Sequence, residues 1–363
     1  MTQKCVSLLG KKDTPTDAVE DYCLYLRESL REHDFDLCVA RCGWAEAGWA
    51  GALEELRRQA SEWRGAWVFV QYTALAWSSR GFPLRFLRVL ELLKRAGARI
   101  GIVFHDVEPY AGGRWVDLLR RQAQLHVMEE TLERAELSVL TVPAEKISWV
   151  RRPPANCVFI PVGANLPEPE KAWARGSGES RVPTIAVFGI SGGQAGVWEM
   201  ACISEAVHFV AERIGKVRLV VVGRNSETAK KTLGCVTENA KVEIIVRGVI
   251  PAEEVVKELG AADVLLSVRG AFTTRRGSLM AGVACGLPIV ALEGEQTSHP
   301  ITESGVVFAD AKRPESFGQA LVRILKDEAY RERLSQQSRR AYEKYFSWKA
   351  IAAQYAEALR RRN

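Results

Sequence analysis

The stretch ADVLLSVRGAFTTRRGSLMAGVACGLPIVALEG, residues 262–294, contains the pattern that decides the fold. It opens with one apolar run, ADVLLSV, and closes with another, LPIVALEG. Between them, RGSLMAGVACG has the length and apolar spacing of a helix. Continuous apolar runs are typical of strands covered on both faces, so the stretch predicts a strand, a crossover helix and a parallel neighbouring strand.

The same alternation continues through the second half of the chain. Further strands are predicted at PTIAVFGI, VRLVVVG, VEIIVRG and GVVFA. Crossover helices are predicted at VWEMACISEAVHFVAERIG, SETAKKTLGCV, PAEEVVKELGA and RPESFGQALVRILKD. Right-handed crossovers between these strands give a doubly wound parallel sheet.

The first half repeats the pattern less cleanly. Its predicted strands are KCVSLLG, DLCVARC, WVFVQYT, RIGIVFHD, LSVLTV and CVFIPVG. A segment rich in Pro, Gly and charge separates the halves and is the natural linker. We therefore predict an α/β protein with two Rossmann-like doubly wound domains that enclose a cleft. The predicted divisions are a first domain over 1–168, a linker over 169–182, a second domain over 183–335 and a C-terminal helix within 336–363.

Composition and cysteine spacing narrow the class of protein. The 363 residues are 47% hydrophobic, enough for two cores, and no run of 18 apolar residues occurs. The apolar run at the N-terminus is too short for a signal peptide, which favours a cytoplasmic protein. The eight cysteines lack the paired spacing of a zinc site, so we expect buried, reduced thiols.

The net charge of +6 is concentrated at the end of the chain. Residues 323–363 hold 11 Lys and Arg against five Asp and Glu. This distribution gives no indication of nucleic-acid binding. The basic tail has two interpretations, a solvated helix face or a peripheral contact with an anionic membrane at its inner face, and the first is the commoner.

A basic loop follows the predicted strand ADVLLSV, at the sheet edge where α/β proteins bind ligands. Guanidinium groups and a helix N-terminus both favour phosphate, so we predict a diphosphate site there. The alternative is that Thr274 or Ser278 only caps the helix while the arginines face solvent or pair with acids. The residues assigned to the predicted site are Arg269, Arg275, Arg276, Gly277 and Ser278.

A glycine-containing loop follows the first strand of the second domain, in VFGISGGQAGVWE. Gly189, Gly192 and Gly193 would let backbone pass close to a ligand. The spacing does not satisfy G-x-G-x-x-G, so a flexible turn is the alternative.

Polar residues also end strands of the first half. His105 and Asp106 follow a buried strand, where an imidazole and a carboxylate could act on a substrate hydroxyl. A structural histidine is the alternative. An acceptor pocket is predicted from two other strand-end segments, through Lys12, Asp13, Thr14, Gln71 and Tyr72.

Several enzyme classes are excluded because the chain lacks their characteristic motifs. The chain contains no H-E-x-x-H, P-loop or G-x-S-x-G arrangement, nor a D-x-D loop suited to a divalent metal. We therefore expect no metal site.

Together these features resemble the GT-B-fold glycosyltransferases, and most closely the retaining family-4 enzymes that use nucleotide sugars. The resemblance rests on FHD, CVFIPVGANLP, VRGVIPAEEVVKELGAADVLLS, RRGSLMAGVACGLPIV and YFSWKAIAAQYAEAL. It implies a first domain that binds the acceptor, a second that binds the donor, and a last helix that returns to the first domain. It places His105 near the transferred sugar and Arg247, Gly248 and Val249 near the nucleotide base.

The resemblance also implies the reaction partners. The donor is a nucleotide diphosphate sugar, which is a co-substrate, and no separate cofactor is expected. The acceptor is a sugar, a lipid-linked molecule or a small molecule, and the transfer is retaining.

The chain departs from the family at the donor site. Thr273 and Ala281 stand where the family has two glutamates, and Ile190 and Ala195 stand where it has an Arg and a Lys. The arginines of the basic loop, with Arg224, are the predicted replacements for the cations, and Glu303 for a sugar or ribose contact. The departures keep two other functions open, a binding protein that has lost catalysis and a sugar-nucleotide epimerase.

Overall fold

The computed structural model describes residues 2–167, 169, 173, 181–226 and 241–362. The chain divides into two units. The first comprises Met1–Val162 together with Trp348–Asn363, and the second comprises Gly163–Ser347. The first division therefore comes before the predicted linker, most of which lies outside the described residues. The second division lies inside the predicted C-terminal segment.

Six parallel strands form the sheet of the first unit. They are β1 (Gln3–Leu9), β2 (Phe35–Arg41), β3 (Trp67–Tyr72), β4 (Arg99–Phe104), β5 (Leu137–Leu140) and β6 (Cys157–Phe159). Their spatial order is β2-β1-β3-β4-β5-β6. Because β2 lies on one side of β1 and every later strand on the other, the order reverses between β1 and β3.

Helices connect these strands and cover the sheet. They are α1 (Ala18–Leu30), α2 (Trp44–Ala60), α3 (Phe86–Arg95) and α4 (Trp115–Arg134). All six residues of β3 are buried, as expected for a central strand covered on both faces. The buried Asp17 carboxylate caps α1 by accepting hydrogen bonds from the backbone N–H groups of Val19 and Glu20.

The second unit also contains a sheet of six parallel strands. They are β7 (Thr184–Phe188), β8 (Val217–Val222), β9 (Val242–Gly248), β10 (Val264–Ala271), β11 (Ile289–Leu292) and β12 (Val306–Ala309). The spatial order β12-β11-β10-β7-β8-β9 reverses between β7 and β10. All twelve predicted strands are therefore confirmed, and the strands at the sheet edges, such as β6, β9 and β12, are only partly buried.

The described helices of the second unit are α5 (Gly193–Ile214), α6 (Ala252–Gly260), α7 (Gly277–Ala284), α8 (Glu315–Lys326) and α9 (Glu328–Ala341). The first four agree with the predicted crossovers, whereas α9 was not predicted. The helix predicted at SETAKKTLGCV lies, apart from its first residue, outside the described residues. Helices α5 and α8 pack against one another over the buried side chains of the sheet.

The last helix, α10 (Trp348–Arg360), belongs to the first unit. Its Tyr355 hydroxyl lies 2.8 Å from the hydroxyl of Tyr22 on α1, and both are buried. The Trp348 ring stacks on Tyr25 at 5.7 Å. These aromatic contacts explain why bulky rings recur along the end of the chain.

The basic tail is bound to the protein's own carbonyl groups. Arg360 donates to the carbonyl of His33 at 3.1 Å. Arg362 donates to the carbonyls of Glu136 and Ala155 at 3.1 and 2.9 Å. The tail arginines therefore contribute to the packing of α10. This role differs from both interpretations of the basic tail that the sequence suggested, a solvated helix face and a membrane contact.

Candidate functional site

The candidate site of the second unit lies at the carboxyl ends of β7 and β10. These strands are neighbours, but the chain leaves them toward opposite sides of the sheet. Such a reversal leaves a crevice between the two strand-end loops, the usual ligand site of open α/β sheets. The loops are residues 189–193, after β7, and 269–276, which includes the end of β10.

Glycine allows the loop after β7 to turn sharply into α5. Gly189 and Gly193 have φ of 80° and 64°, a conformation that side chains disfavour. A Cβ atom on Gly196 would lie 2.1 Å from the carbonyl oxygen of Ser191, so the helix can approach the loop only without a side chain there. The first turn of α5 contains no acidic residue, which leaves its N–H groups suited to an anion.

Two side chains hold this loop in place. Glu199, buried on α5, accepts a hydrogen bond from the backbone N–H of Ser191 at 2.8 Å. Asn225, with φ of 60°, donates to the carbonyl of Ile190 at 2.8 Å. We did not single out either residue in the sequence. The signals were a carboxylate between the apolar residues Trp198 and Met200 at the start of a helix, and an Asn two residues after the Gly that follows β8.

Three arginines surround the glycine loop and the start of α7. Nη1 of Arg269 lies 3.4 Å from the position of a Cβ atom on Gly189, and Nη2 of Arg276 lies 2.4 Å from that on Gly270. Nε of Arg275 is buried without a hydrogen-bond partner. Across the described ranges, none of the three guanidinium groups forms an ion pair. The structure therefore brings together cations from both ends of the 269–276 segment.

The charges in this cluster oppose one another. The pKa of Arg276 is lowered to about 10, first by burial and then by the positive charges of Arg275 and Arg269. The carboxylate of Glu199 acts in the other direction. A bound polyanion would relieve this repulsion and supply partners for the unpaired donors, as a diphosphate does.

Helix α7 begins at this cluster without a side-chain cap. Its N-cap residue is Arg276, which makes no capping hydrogen bond, and neither Thr274 nor Ser278 occupies the N-cap position. The prediction that Thr274 or Ser278 is the N-cap residue of this helix is therefore wrong. Gly277 and Ser278 form the first turn of the helix, next to the arginines.

The other predicted donor contacts have protein partners. Arg247 pairs with Glu258 at 2.9 Å, and the carbonyl of Gly248 accepts from the N–H of Gly223 at 2.7 Å. Val249 is exposed. The carbonyl of Arg224 accepts from the N–H of Ile190 at 3.2 Å. Glu303 accepts from the Tyr345 hydroxyl at 2.9 Å and pairs with His299 and Lys344, so its charge is already compensated.

The first unit has a polar chain that ends at His105, directly after β4. Nε2 of His105 lies 2.8 Å from Oε1 of Gln71. Nε2 of Gln71 donates to the Ser7 hydroxyl at 2.8 Å, and the hydroxyl lies 2.9 Å from Sγ of Cys23. The edge of the Tyr22 ring packs against the imidazole, with centroids 5.0 Å apart. The packing holds the His105 ring in one orientation.

The Gln71 amide selects the tautomer of His105. The amide nitrogen also approaches the carbonyl oxygen of Phe69, at 3.4 Å, which can only accept a hydrogen bond. The amide oxygen must therefore face His105, and Nε2 of the imidazole carries the proton. Burial lowers the pKa of His105 to about 4, against the weaker opposing effect of Asp17, so the ring is neutral at pH 7. Nδ1 is then left as an acceptor.

Several predicted contacts of the first unit are occupied by the protein itself. Asp106 accepts from the backbone N–H of Ala74 at 3.0 Å and so supports the following loop. Tyr72 was expected in an acceptor pocket, but it is the last residue of β3 and is fully buried in the core. Gln71 is likewise buried in β3 and reaches a ligand only through His105. The Tyr72 prediction is therefore wrong, because the strand extends further than the polar residues indicated.

The segment of Lys12, Asp13 and Thr14 follows β1. Lys12 pairs with Glu20 at 3.4 Å, and Asp13 accepts from the N–H of Thr14 at 2.9 Å. Arg41 pairs with both Asp17 and Glu20 at 3.2 Å, a network that we did not predict. The segment is exposed at the same sheet edge as His105, where β1 and β3 mark the reversal of strand order.

Comparison with known proteins shows what the second unit is similar to. Residues 192–327 match the family model described as "Glycosyl transferases group 1". The second unit is therefore similar to the glycosyltransferase group 1 domain over these residues. The match covers the α5 N-terminus and the arginine loop, the two parts from which the candidate site is built.

Solved structures extend the likeness to the whole chain, which has the GT-B fold. Sucrose-phosphate synthase from Thermosynechococcus elongatus matches with a TM-score of 0.71 and 18% identity, over 99% of this chain and 98% of that chain. HepE from Anabaena, in complex with UDP and glucose, matches with 0.69 and 13%, over 99% and 100%. A glycosyltransferase from Rickettsia africae matches with 0.69 and 13%, over 99% and 98%.

Three further searches concern curated proteins, membrane-spanning helices and metal sites. A search of curated proteins finds no match to the sequence. No described helix is both long and apolar enough to cross a membrane. Among the residues that the structure describes, no three His, Cys, Asp or Glu side chains form a group that could hold a metal ion.

Proposed function

We propose that this protein is a glycosyltransferase that moves a sugar from a nucleoside diphosphate sugar to an acceptor bound by the first unit. The proposal is carried by one observation, the cluster of Arg269, Arg275 and Arg276 at the strand-order reversal of the second sheet, which forms no ion pair with the carboxylates of the described residues. The group 1 family match over the same residues supports it. HepE, which shares the fold, was solved with UDP and glucose.

The arginines and the helix N-termini have a role in the proposed chemistry. The bond between the anomeric carbon and the distal phosphate breaks, and negative charge accumulates on that phosphate. Fixed guanidinium and N–H donors stabilise this charge before and during bond breaking. In this assignment the protein's own cations supply the charge that a divalent metal supplies in other transferases, so we propose a metal-independent reaction.

The acceptor hydroxyl then bonds to the anomeric carbon. Its proton passes to an oxygen of the departing phosphate, so the reaction needs no protein nucleophile. Attack on the face that the phosphate leaves gives a retaining transfer, an assignment that rests on the family resemblance. His105 contributes as a hydrogen-bond acceptor, through Nδ1, for a sugar hydroxyl.

A binding protein without catalysis is the competing function. It is favoured by Thr273 and Ala281 at the positions where the family has glutamates, because both are buried and neither carries a carboxylate. It predicts nucleotide-sugar binding without release of nucleoside diphosphate. An epimerase would instead convert the nucleotide sugar itself, without any acceptor.

The test is a panel of nucleotide sugars incubated with the purified protein. Thermal shift reports binding, because a ligand that binds only the folded state stabilises it. Released nucleoside diphosphate reports cleavage, and proton NMR of the sugar reports epimerisation. We expect a thermal shift and slow release of nucleoside diphosphate with one member of the panel. In Arg275→Ala and in Arg276→Ala, the affinity for that nucleotide sugar and the rate of release should each fall at least tenfold.

The matched control is Arg313→Ala. Arg313 lies in the same unit but pairs at the surface with Asp310 at 3.0 Å, so its loss should leave binding unchanged. A shift without released diphosphate supports the binding protein. No shift with any member of the panel contradicts donor binding altogether.

A further inference from the structure

The first half of α4 exposes an apolar stripe. Trp115, Leu118 and Leu119 are 76%, 63% and 55% exposed, and their spacing places them together on one helix face. The opposite face, with Gln124, Val127 and Met128, is buried against the unit. Large apolar side chains grouped in this way on a surface indicate an interaction site.

The loop before α4 adds a fourth exposed side chain, Tyr110, whose position is fixed by Arg120. Tyr110 is 47% exposed, and the Arg120 guanidinium lies over its ring at 5.0 Å. Arg120 also bonds to the buried Asp117 and donates to the carbonyl of Arg80 at 2.9 Å. We call Tyr110, Trp115, Leu118 and Leu119 the α4 patch. It is a rigid surface, because its loop is bound to its helix.

Positive charge lies beside the α4 patch. Arg121 lies on the same half of the helix, and Arg80 is held next to the helix by the Arg120 side chain, which donates to its carbonyl. Within the described residues, neither Arg80 nor Arg121 forms an ion pair. The acidic residues of α4 concentrate in its other half, at Glu129, Glu130 and Glu133. The helix is therefore polarised, with apolar and cationic groups at its beginning.

We propose that the α4 patch docks on the surface of a bilayer that contains anionic lipids. Trp and Tyr prefer the headgroup region, Leu side chains enter the acyl boundary, and arginines attract anionic headgroups. A protein partner is a poorer fit, because a standard protein interface needs about 20–30 residues a side. The inference does not depend on the proposed transferase activity, and it assigns membrane contact to α4 instead of the basic tail, whose Arg360 and Arg362 bind the protein's own carbonyls.

Vesicle sedimentation of the full chain tests this proposal. The vesicles are phosphatidylcholine alone or phosphatidylcholine with 30% phosphatidylglycerol, at low and at physiological salt. We expect binding to the anionic vesicles, weakened by salt. Leu118→Ser with Leu119→Ser should reduce partitioning at least tenfold, and Arg80→Gln or Arg121→Gln about fivefold each.

Controls use exposed residues outside the patch. Leu24→Ser with Val197→Ser removes exposed apolar groups elsewhere, and Arg313→Gln removes a surface arginine, so both should bind as the unmodified chain does. Apart from Arg121, which is half-buried, the substituted side chains are exposed, and thermal unfolding checks that each variant folds. Equal binding by the patch and control variants would overturn the proposal, as would no binding to anionic vesicles at low salt. A concentration-dependent dimer that Leu118→Ser dissolves would also overturn it, in favour of a second copy of the chain.

Discussion

Gln71 and His105 are joined through Oε1 and Nε2 at 2.8 Å, and this contact determines which nitrogen of the imidazole carries the proton. Gln71 cannot turn its amide around, since its nitrogen approaches the Phe69 carbonyl and the Ser7 hydroxyl. His105 is therefore an acceptor at Nδ1. A buried glutamine in a strand thus acts on the candidate site without touching a ligand.

Replacing Gln71 with Glu should raise the pKa of His105 from about 4, because a carboxylate next to the Nε2–H stabilises the imidazolium. Nitrogen-detected NMR of the histidine rings follows both the titration and the tautomer. In the unmodified protein we expect Nε2 protonated and Nδ1 not. The reverse tautomer at pH 7, or an unchanged titration in Gln71→Glu, would contradict the assigned role of Gln71.

The same histidine predicts a pH dependence of stability. Its pKa is about 4 in the folded state and 6.5 ordinarily, so between these values the unfolded chain binds a proton that the folded chain does not. The stability is fully present above pH 6.5 and decreases as the pH falls toward 4. Urea unfolding should show a loss of about 1–2 kcal/mol between pH 7 and pH 5 from this group. His105→Asn should lose correspondingly less, and an equal loss would refute the explanation.

Arg276→Met should have opposite effects on stability and on binding. The depressed pKa of Arg276 means that its charge is unfavourable in the folded protein, so the variant should be more stable by about 1 kcal/mol without ligand. The same change should weaken binding of the nucleoside diphosphate about 10–100-fold, because a charged hydrogen bond is lost. Urea unfolding and calorimetry measure the two effects. Arg313→Met, which breaks only a surface pair, should do neither.

Gly196→Ala should disturb the glycine loop. The new Cβ would lie 2.1 Å from the Ser191 carbonyl oxygen, and overpacking of this kind costs about 1–3 kcal/mol. Because the loop must shift, nucleotide-sugar binding should fall as well. Gly51→Ala on α2 is the matched control, since its Cβ meets only the Ala47 side chain at 3.7 Å. That variant should be unchanged or more stable, by up to about 1 kcal/mol. Equal effects of the two substitutions in unfolding and binding assays would contradict the packing argument.

Local patterns were sufficient for much of the fold. Each apolar run of the sequence became a strand, because burial on both faces of a sheet requires continuous β-branched and aliphatic residues. They also indicated which segments of the candidate site mattered, namely the loop of Arg275 and Arg276 and the strand end at His105. The sequence was less informative about where each strand ends and which of its residues are buried. Tyr72 has a polar hydroxyl, yet its ring is buried with the core of the first unit.

Two parallel α/β sheets and the polar residues at their strand ends follow from the sequence alone, since strand and helix periods are properties of neighbouring residues. The spatial order of the strands, which places Arg269 beside Gly189 and Gln71 beside His105, is visible only in the folded chain. The folded chain also shows that Arg360 and Arg362 bind the protein's own carbonyls, whereas Arg80 and Arg121 near α4 form no ion pair with any described residue. These outcomes depend on contacts between residues far apart in the chain, and no local period records which distant partner a side chain meets.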